Sequence, residues 1–207
     1  MDVRGLLYGL FTTSMSQISI FFYSKLRFND LIHHILAFEG IPLSYLFLFL
    51  YWTGGFLPTS YYDLTLRFEA PRFIGMLAVQ DLLQYISHLA AHKFKFKYHW
   101  PHHKATTPKI LDAFKGSVLD TSLMVLLPMF ITLQVFHANC VTLQIFGSFY
   151  SSYLILIHAD YEHSWERITS KLGFATARDH RLHHQKRNVN FGHIFRIWDV
   201  LFKTYEP

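Results

Sequence analysis

Histidine is the residue type that carries the clearest chemistry in this chain of 207 residues. The segments HLAAH, HWPHH and HRLHH place histidines one, three and four residues apart. Neutral imidazole is the commonest protein ligand for iron, zinc and copper, and side chains three or four residues apart share one face of a helix. Each segment is therefore predicted to present its rings together, and their total exceeds what one metal ion binds. The predicted ligands in these segments are His88, His92, His99, His102, His103, His180, His183 and His184.

The composition predicts a bilayer as the solvent of this chain. Hydrophobic residues make up 51% of it and aromatic residues 18%, which is high for a soluble protein. Several apolar segments are long enough to cross a hydrocarbon core about 30 Å thick. We therefore predict an all-α integral membrane protein with about five transmembrane helices and a cytosolic helical cap that holds the metal site. The predicted spans are residues 6–24, 35–56, 72–92, 118–136 and 141–157.

The third predicted span is the least apolar of the five. Gln80, Asp81 and Gln84 lie in it on the face that also carries His88. A carboxylate inside a bilayer is costly unless it is paired, and Asp81 lies about 10 Å from His88 along a helix that rises about 1.5 Å per residue. This polar stripe is predicted to face protein, with Asp81 as an anchor between helices or behind the metal ligands.

The basic residues predict an orientation in the membrane. The net charge is +5, and most Lys and Arg residues fall in residues 25–27, 93–115 and 167–203. Lys and Arg accumulate in cytosolic loops, so five alternating spans would place these segments and the histidine segments on the cytosolic side. This pattern favours membrane orientation over nucleic-acid binding. His137 falls in the predicted far-side turn near residues 137–140 and is excluded from the site, while His33 and His34 are interpreted as surface residues.

Other features predict a single domain. Cys140 has no cysteine to pair with, which excludes a disulfide framework and a thiolate zinc site. The first apolar stretch lacks the basic start and cleavage site of a signal peptide, so it is expected to stay as an anchor. We predict one membrane domain over residues 1–207, with N-terminal spans in residues 1–71 and the catalytic region in residues 72–207.

The motifs together resemble a known family. DLLQYISHLAAH, HWPHH, HRLHH, NFG and WDVLFKT occur in this order between Arg72 and Thr204. They resemble the fatty acid hydroxylase and sterol desaturase superfamily, whose members are membrane di-iron oxygenases with histidine boxes. The resemblance implies that His158, in the element HADY, is a further metal ligand and that His163 is a possible one. Supporting residues behind the ligands are then Asp81, Tyr85, Asn190, Trp198 and Asp199.

The chain also departs from the pattern of that superfamily. Leu89 stands where an arginine usually follows the first ligand, and Lys203 stands where the last motif usually has glycine. A His-Pro element that often follows the second histidine segment is absent, since the chain reads DAFKGSVLD there. His193 directly follows NFG, and a ligand, a supporting residue and a surface residue all remain open for it.

The resemblance implies an oxidoreductase of lipid biosynthesis in the endoplasmic reticulum. Two iron ions, which zinc can replace in purified protein, would use dioxygen to hydroxylate or desaturate a sterol or a fatty acyl or sphingolipid chain. The chain has no dinucleotide fingerprint, so electrons are expected from cytochrome b5 and its reductase. The basic residues of the predicted cytosolic face, Lys93, Lys95, Lys97, Arg178 and Arg187 among them, would suit an acidic donor or lipid headgroups.

Three alternatives are less well supported by the sequence. A non-enzymatic member of the same fold would keep the metals for structure or act as a scaffold. A metal transporter needs polar ligands deep in at least two spans, whereas only Asp81 and its neighbouring glutamines are deep here. A hydrolytic zinc enzyme suits histidine ligands, but no serine, cysteine or glutamate stands in a recognisable nucleophile or base pattern.

Overall fold

The computed structural model describes residues 3–24, 26, 28–36 and 38–207, without the side chains of residues 30, 31, 33, 34 and 114. Within these residues the chain is helical, and the only β-type pairing is a single bridge between Phe174 and Phe195. The described part does not include the side chains of His33 and His34, which we interpret as surface residues, or the basic residues Lys25 and Arg27. The α-helices are α1 (Val3–Tyr23), α2 (Phe28–Leu36), α3 (Ile41–Thr53), α4 (Ala70–Lys93), α5 (Val118–Thr121), α6 (Leu127–Val135), α7 (Cys140–Leu156), α8 (Glu166–Thr169), α9 (Ala177–Lys186) and α10 (Ile197–Leu201).

Short turns of other helix types connect these elements. A π-helical turn, Ser122–Leu126, joins α5 to α6, so that Val118–Val135 forms one continuous rod. The 3-10 turns are Thr59–Tyr62, His102–Lys104, Ile110–Phe114 and Ser170–Leu172.

The all-helical prediction is confirmed, whereas only one of the five predicted spans is a clear candidate by length and composition in the part of the chain that the structure describes. Among the described residues, only the rod Val118–Val135 is both long and apolar enough to cross a membrane, with a mean hydropathy of 1.8 over 18 residues. Ile41–Thr53 and Cys140–Leu156 are apolar but shorter. α1 and α4 have 21 and 24 residues but are less apolar. Length and composition therefore mark one clear candidate span and two shorter apolar helices.

The predicted boundaries of the second span were wrong. Residues 35–56 do not form one helix, because α2 ends at Leu36 and α3 begins at Ile41. Pro42 lies in the first turn of α3, where its missing N–H and fixed φ are tolerated. The same residue would break a helix interior, so the proline starts a new helix here.

The long helices pack around an aromatic core. α7 contacts both α1 and α4, and α4 also contacts α6. Fully buried aromatic side chains fill the centre, with Trp52 on α3, Tyr61 before α4, and Phe146 and Tyr150 on α7. A Cβ atom at Gly9 would lie 2.9 Å from the Gln144 amide, so this glycine allows α1 to approach α7 closely.

The helix ends define two ends of the bundle. At one end the predicted turn between α6 and α7 is present at residues 136–139, where the Asn139 N–H donates to Glu69 just before α4 (2.9 Å). His137 is exposed in that turn. α4 runs from there to His88 and His92, and α7 runs from there to His158. The predicted ligands therefore lie at the other end, about 30 Å away at 1.5 Å per residue.

Candidate metal centre

Nine histidines converge at this end of the bundle in two groups. The first group takes rings from α4, from the 99–103 turn and from α9; the second takes rings from that turn, from the end of α7 and from α9. Within each group, one ring nitrogen per residue lies within 4.8 Å of those of all the other members. The first group is His88, His92, His99, His103 and His183, and the second is His102, His158, His180 and His184.

The groups divide the histidine segments, contrary to the prediction that each segment presents its rings together. His99 and His103 join the first group, while His102 joins the second. His180 and His184 join the second group, while His183 joins the first. Residues four apart stay together, whereas a neighbour one residue away points in a different direction. Each triplet therefore contributes to both groups.

The spacing of the ring nitrogens fits metal coordination. Imidazole binds a metal such as zinc at about 2.0–2.1 Å, so two nitrogens around one ion lie about 2.9–3.4 Å apart. In the first group, Nε2 of His103 lies 2.9 Å from Nε2 of His92 and of His99. In the second group, Nε2 of His180 lies 2.9 Å from Nε2 of His158 and 3.2 Å from that of His184. Both separations are those of nitrogens that share an ion.

One buried atom supports the same interpretation. Nε2 of His88 is buried and has no hydrogen-bond partner, although its ring contacts those of His99 and His183. A buried polar atom without a partner costs free energy. A metal ion held by the first group would satisfy this nitrogen.

Burial keeps the imidazoles neutral, which a metal ligand requires. Desolvation, with a further contribution from neighbouring imidazoles, lowers the pKa of His102 to about 4 and that of His184 to about 2. The same causes hold the pKa values of His158, His180 and His183 well below 6.5. Their lone pairs are therefore available at neutral pH, because the proton is the competing ligand.

Backbone carbonyls fix the orientation of four of these nine rings. Nδ1 of His183 donates to the Val189 carbonyl (2.8 Å), and Nδ1 of His184 donates to the Ala105 carbonyl (2.9 Å). His88 and His158 make the same type of bond to Phe191 and Leu154, at 3.0 and 2.6 Å. Because a carbonyl oxygen only accepts, the single ring proton lies on Nδ1 in each bond. Nε2 of the neutral imidazole is then an acceptor that can face the group.

Asp120 orients His99 and was missed in the sequence. Its carboxylate oxygens lie 3.0 and 3.2 Å from Nδ1 of His99, and both side chains are buried. A carboxylate behind a ligand imidazole fixes the ring and raises its basicity. The signal in the sequence was the position of Asp120, a single acid at the start of an otherwise uncharged span.

Replacing Asp120 by Ala is expected to weaken metal binding by the first group about 10–100-fold. The reason is that His99 would lose the partner that fixes its ring, while the second group would keep all its contacts. Isothermal titration of the metal-free protein should then resolve one weakened and one unchanged site. An exposed acid at the other end of the bundle provides the control, and Asp63→Ala should leave both affinities unchanged. Equal weakening of both sites would contradict the assignment.

Asp81 lies outside both groups and holds the segment that follows NFG. Its carboxylate accepts the backbone N–H groups of Ile194 and Phe195 at 2.9 Å and that of His193 at 3.3 Å. It also accepts the indole N–H of Trp198 at 3.0 Å. Four donors therefore satisfy a carboxylate with no exposed surface, and residues 193–198 are tied to the middle of α4.

The other predicted supporting residues hold residues 190–206, which we call the closing segment. Asp199 accepts the N–H groups of Phe191 and Gly192, both at 2.7 Å. Tyr85 bonds the Thr204 hydroxyl at 2.9 Å, and Asn190 bonds the backbone of Glu206 through both ends of its amide. The carbonyl of Phe191 is the acceptor for His88, so these contacts position the first group indirectly.

Gly192 is required by close packing in this segment. A Cβ atom there would lie 2.6 Å from the Phe195 carbonyl oxygen and 2.8 Å from the Asp199 carboxylate. Any larger residue would push Asp199 away from the N–H groups that it accepts.

Lys203 occupies a left-handed backbone conformation, with φ at 59°. Glycine adopts this conformation without steric cost, which accounts for the glycine that the resemblance leads us to expect there. Lys203→Gly is expected to raise the free energy of unfolding by about 0.5–1 kcal/mol, measured as a higher thermal midpoint in detergent. Lys171→Gly, in the right-handed turn Ser170–Leu172, should lower that midpoint. A fall in both variants would contradict the interpretation.

The structure separates the remaining histidines. His163 belongs to neither group, because its Nε2 bonds the Leu156 carbonyl (2.9 Å) and its Nδ1 bonds the Tyr23 hydroxyl (3.0 Å). The possible ligand role predicted for it therefore has no support in these contacts. His193 is buried against both groups, with ring centres 4.9 Å from His88 and 5.3 Å from His180. Its position excludes the surface interpretation.

Two cavities lie in the bundle near the groups, and one of them touches the groups directly. The inner cavity lies against both groups, and His88, His99, His102, His158 and His193 line it. The outer cavity shares the lining residues Val125 and Leu154 with it and lies between α1, α3, the π-helical turn, α6 and α7. Its lining is apolar and aromatic with a few hydroxyl and amide groups, and among the described residues no charged side chain contributes to it.

The segment that builds this centre matches one family profile, for proteins described as fatty acid hydroxylase, over residues 73–204. The chain belongs to the fatty acid hydroxylase family. The matched residues contain both histidine groups, Asp81 and most of the closing segment. The predicted family resemblance is confirmed.

Two curated relatives of this fatty acid hydroxylase family protein carry the names of oxidoreductases. An alternative squalene epoxidase of Phaeodactylum tricornutum (strain CCAP 1055/1) is 38% identical over 182 residues, which are 86% of this chain and 52% of the relative. Methylsterol monooxygenase 1 of Danio rerio is 30% identical over 132 residues, which are 63% of this chain and 45% of the relative. The chain thus spans about half the length of the curated relatives that it matches. No solved structure matches it.

Proposed function

We propose that this protein is the catalytic part of a membrane oxygenase that inserts oxygen into an uncharged lipid of the squalene or sterol type. The observation that carries the proposal is the convergence of nine imidazoles into two adjacent groups, with ring nitrogens at coordination spacing. The first and second groups would each hold one iron ion. Zinc is expected to occupy the same nitrogens in protein purified without added iron.

Bound iron would supply the reductive activation of dioxygen, which no protein side chain provides. The balanced reaction converts one lipid, one dioxygen, two electrons and two protons into one oxygenated lipid and one water. The residues of this chain hold the nitrogen donors neutral and fix their direction through Asp120 and the backbone carbonyls. The buried lining of the inner cavity would limit the access of bulk water to the reacting atoms.

The outer cavity supports an uncharged substrate. A fatty acid, an acyl thioester or a phospholipid needs a basic partner for its charged group if that group is buried. The described lining of the cavity offers none, whereas squalene and sterols need none. The names of the two relatives point to the same lipid classes. The cavity lining and the relatives' names therefore favour squalene or a sterol over the fatty acyl and sphingolipid chains that the sequence also allows.

Oxygen insertion is proposed in preference to desaturation. Both relatives are named for it, one as an epoxidase and the other as a monooxygenase. Hydroxylation and desaturation, which the motifs imply, both attack a C–H bond, whereas epoxidation attacks a C=C bond. Insertion into a C=C bond requires the same dioxygen and electrons.

The exposed face of α1 supports a membrane location. Large apolar side chains recur on it every three or four residues, at Leu7, Phe11, Met15, Ile18 and Phe22, each at least 45% exposed. Such a stripe on a bundle with an apolar rod is typical of contact with lipid tails. We propose an integral protein of the endoplasmic reticulum with the histidine groups on the cytosolic side. An external donor of the cytochrome b5 type would supply the electrons there.

The proposal is tested with the full chain purified in detergent and loaded with iron. About two iron ions per chain are expected. With a b5-type donor system and isotopically labelled dioxygen, squalene or a 4-methylsterol should gain one labelled oxygen atom, detected by mass spectrometry. Omitting the donor should abolish the product. Two bound ions without an oxygen-dependent product from either lipid would overturn the oxygenase and favour a structural role for the metals.

A further inference from the structure

The inner and outer cavities meet at a shared wall. Two side chains, Val125 and Leu154, line both of them. A hydrogen bond also spans this wall: the hydroxyl of Tyr150, which lines the outer cavity, donates to the amide oxygen of Gln84, which lines the inner one. These side chains therefore stand between a molecule in the outer cavity and the histidine groups.

Val125 is held at this wall by its backbone. It lies in the π-helical turn Ser122–Leu126, a helix type that is frequent at functional sites. Its carbonyl accepts the amide of Gln80 (3.4 Å), whose oxygen accepts the Thr132 hydroxyl (3.2 Å). Gln80 and Thr132 have no exposed surface, so this bond chain fixes the turn between α4 and α6.

Leu154 is held from the opposite side. Its carbonyl accepts Nδ1 of His158 at 2.6 Å, and its side chain is buried on the last turn of α7. The residue is thus one helical turn from a member of the second group. Any displacement of its backbone would also displace the His158 ring.

The size of the inner cavity limits what can enter. It encloses about 50 Å³, and on this measure one water-sized group needs about 10–15 Å³. About four such groups therefore fit beside the histidines. This is the size of the branched end of an isoprenoid chain, and it is much smaller than a fused ring.

We propose that Val125 and Leu154 form a selectivity constriction, which admits the end of an acyclic isoprenoid chain to the histidine groups and keeps ring systems in the outer cavity. This inference rests on the proposed function for its substrate class. Its residues are specificity determinants that touch the lipid and do not take part in the chemistry. The Gln84–Tyr150 pair forms the remaining side of the opening.

Photolabelling tests the constriction without requiring turnover. The probe is an acyclic isoprenoid with a diazirine at its terminal carbon, added to the full metal-loaded chain. In the wild type, adducts are expected on residues that line the inner cavity, such as Gln84, Met124 and His193. In Leu154→Phe, the adducts should move to residues of the outer cavity, such as Tyr51 and Met129. Val125→Phe provides a second variant if Leu154→Phe does not fold, with metal content as the check on folding.

The matched control is Leu127→Phe. Leu127 is exposed on the neighbouring α6 and lines neither cavity, so its variant should keep the labelling pattern of the wild type. Identical patterns in the wild type, Leu154→Phe and Val125→Phe would overturn the constriction. Adducts on the inner cavity from a probe with a terminal fused ring in the wild type would also overturn it.

A turnover experiment separates this inference from the proposed function. In Leu154→Ala, the ratio of kcat/KM for a 4,4-dimethylsterol to that for squalene is expected to rise at least about tenfold, because about 1.4 kcal/mol of steric discrimination corresponds to that factor. An unchanged ratio in an active enzyme would contradict the constriction alone. Absence of any product from either lipid, with labelling as expected, would contradict the proposed oxygenase alone.

Discussion

Replacing His103 by Ala is expected to remove the metal ion of the first group and to abolish oxygen insertion. Nε2 of His103 lies 2.9 Å from Nε2 of both His92 and His99 and 3.3 Å from that of His183. The ring also contacts His184 of the second group, with centres 4.6 Å apart. His103 thus contacts more of the nine histidines than any other ring in the centre does. Metal content should therefore fall from about two ions per chain to one or fewer. Activity should fall more than about 100-fold, beyond the loss typical of a residue that supports a ligand.

Two variants make this result specific. His103→Gln keeps most of the side-chain volume, so loss of metal in it would not reflect a cavity in the core. His137→Ala removes an exposed histidine at the other end of the bundle and should retain both ions and full activity. Retention of two ions in His103→Gln, or an equal loss in His137→Ala, would contradict the assignment. Metal content by mass spectrometry and product formation are the two measurements.

Replacing Asp81 by Ala is expected to destabilise the protein by several kcal/mol and to release the closing segment. The change leaves the N–H groups of three backbone positions and of Trp198 without their acceptor. Each buried donor without a partner costs about 1–3 kcal/mol, and a domain is stable by only about 5–15 kcal/mol. The thermal midpoint in detergent should therefore fall sharply, and metal should be lost because the His88 acceptor lies in the same segment.

A graded series tests this reasoning. Asp81→Asn keeps one oxygen acceptor of similar shape and should lie between the wild type and Asp81→Ala. Asp63 accepts only the N–H and hydroxyl of Thr65 at the exposed end of the bundle, so Asp63→Asn should change the midpoint little. An Asp81→Ala protein with an unchanged midpoint would show that residues 193–198 are held by other contacts.

Some of the fold was predictable and some was not. The helical hairpin around residues 136–139 followed from two apolar runs with a polar interruption, and the burial of Gln80, Asp81 and Gln84 followed from their helical spacing. The break between α2 and α3 could have been predicted from Pro42. The lower apolarity of α1 and α4 is harder to interpret from sequence, because a helix that faces protein carries polar residues that a helix facing lipid does not.

The supporting contacts show a similar division. Asp81, Tyr85, Asn190, Trp198 and Asp199 stood in recognisable motifs, although their partners were not visible in them. Asp120 stood in no motif, because its partner His99 is 21 residues away and on a different element. The role of His193 is not predictable from the sequence, because nothing in its spacing shows which way its ring points.

The sequence alone determined the donor chemistry of this protein, a set of neutral nitrogen ligands without thiolates, and the family to which it belongs. It did so because residue type sets the chemistry and because the motifs are local. Only the tertiary structure decided how nine rings divide into two groups, with each HxxHH triplet serving both. Side-chain direction within a helix follows from spacing, but the partner that a ring meets depends on how α4, α7 and α9 pack.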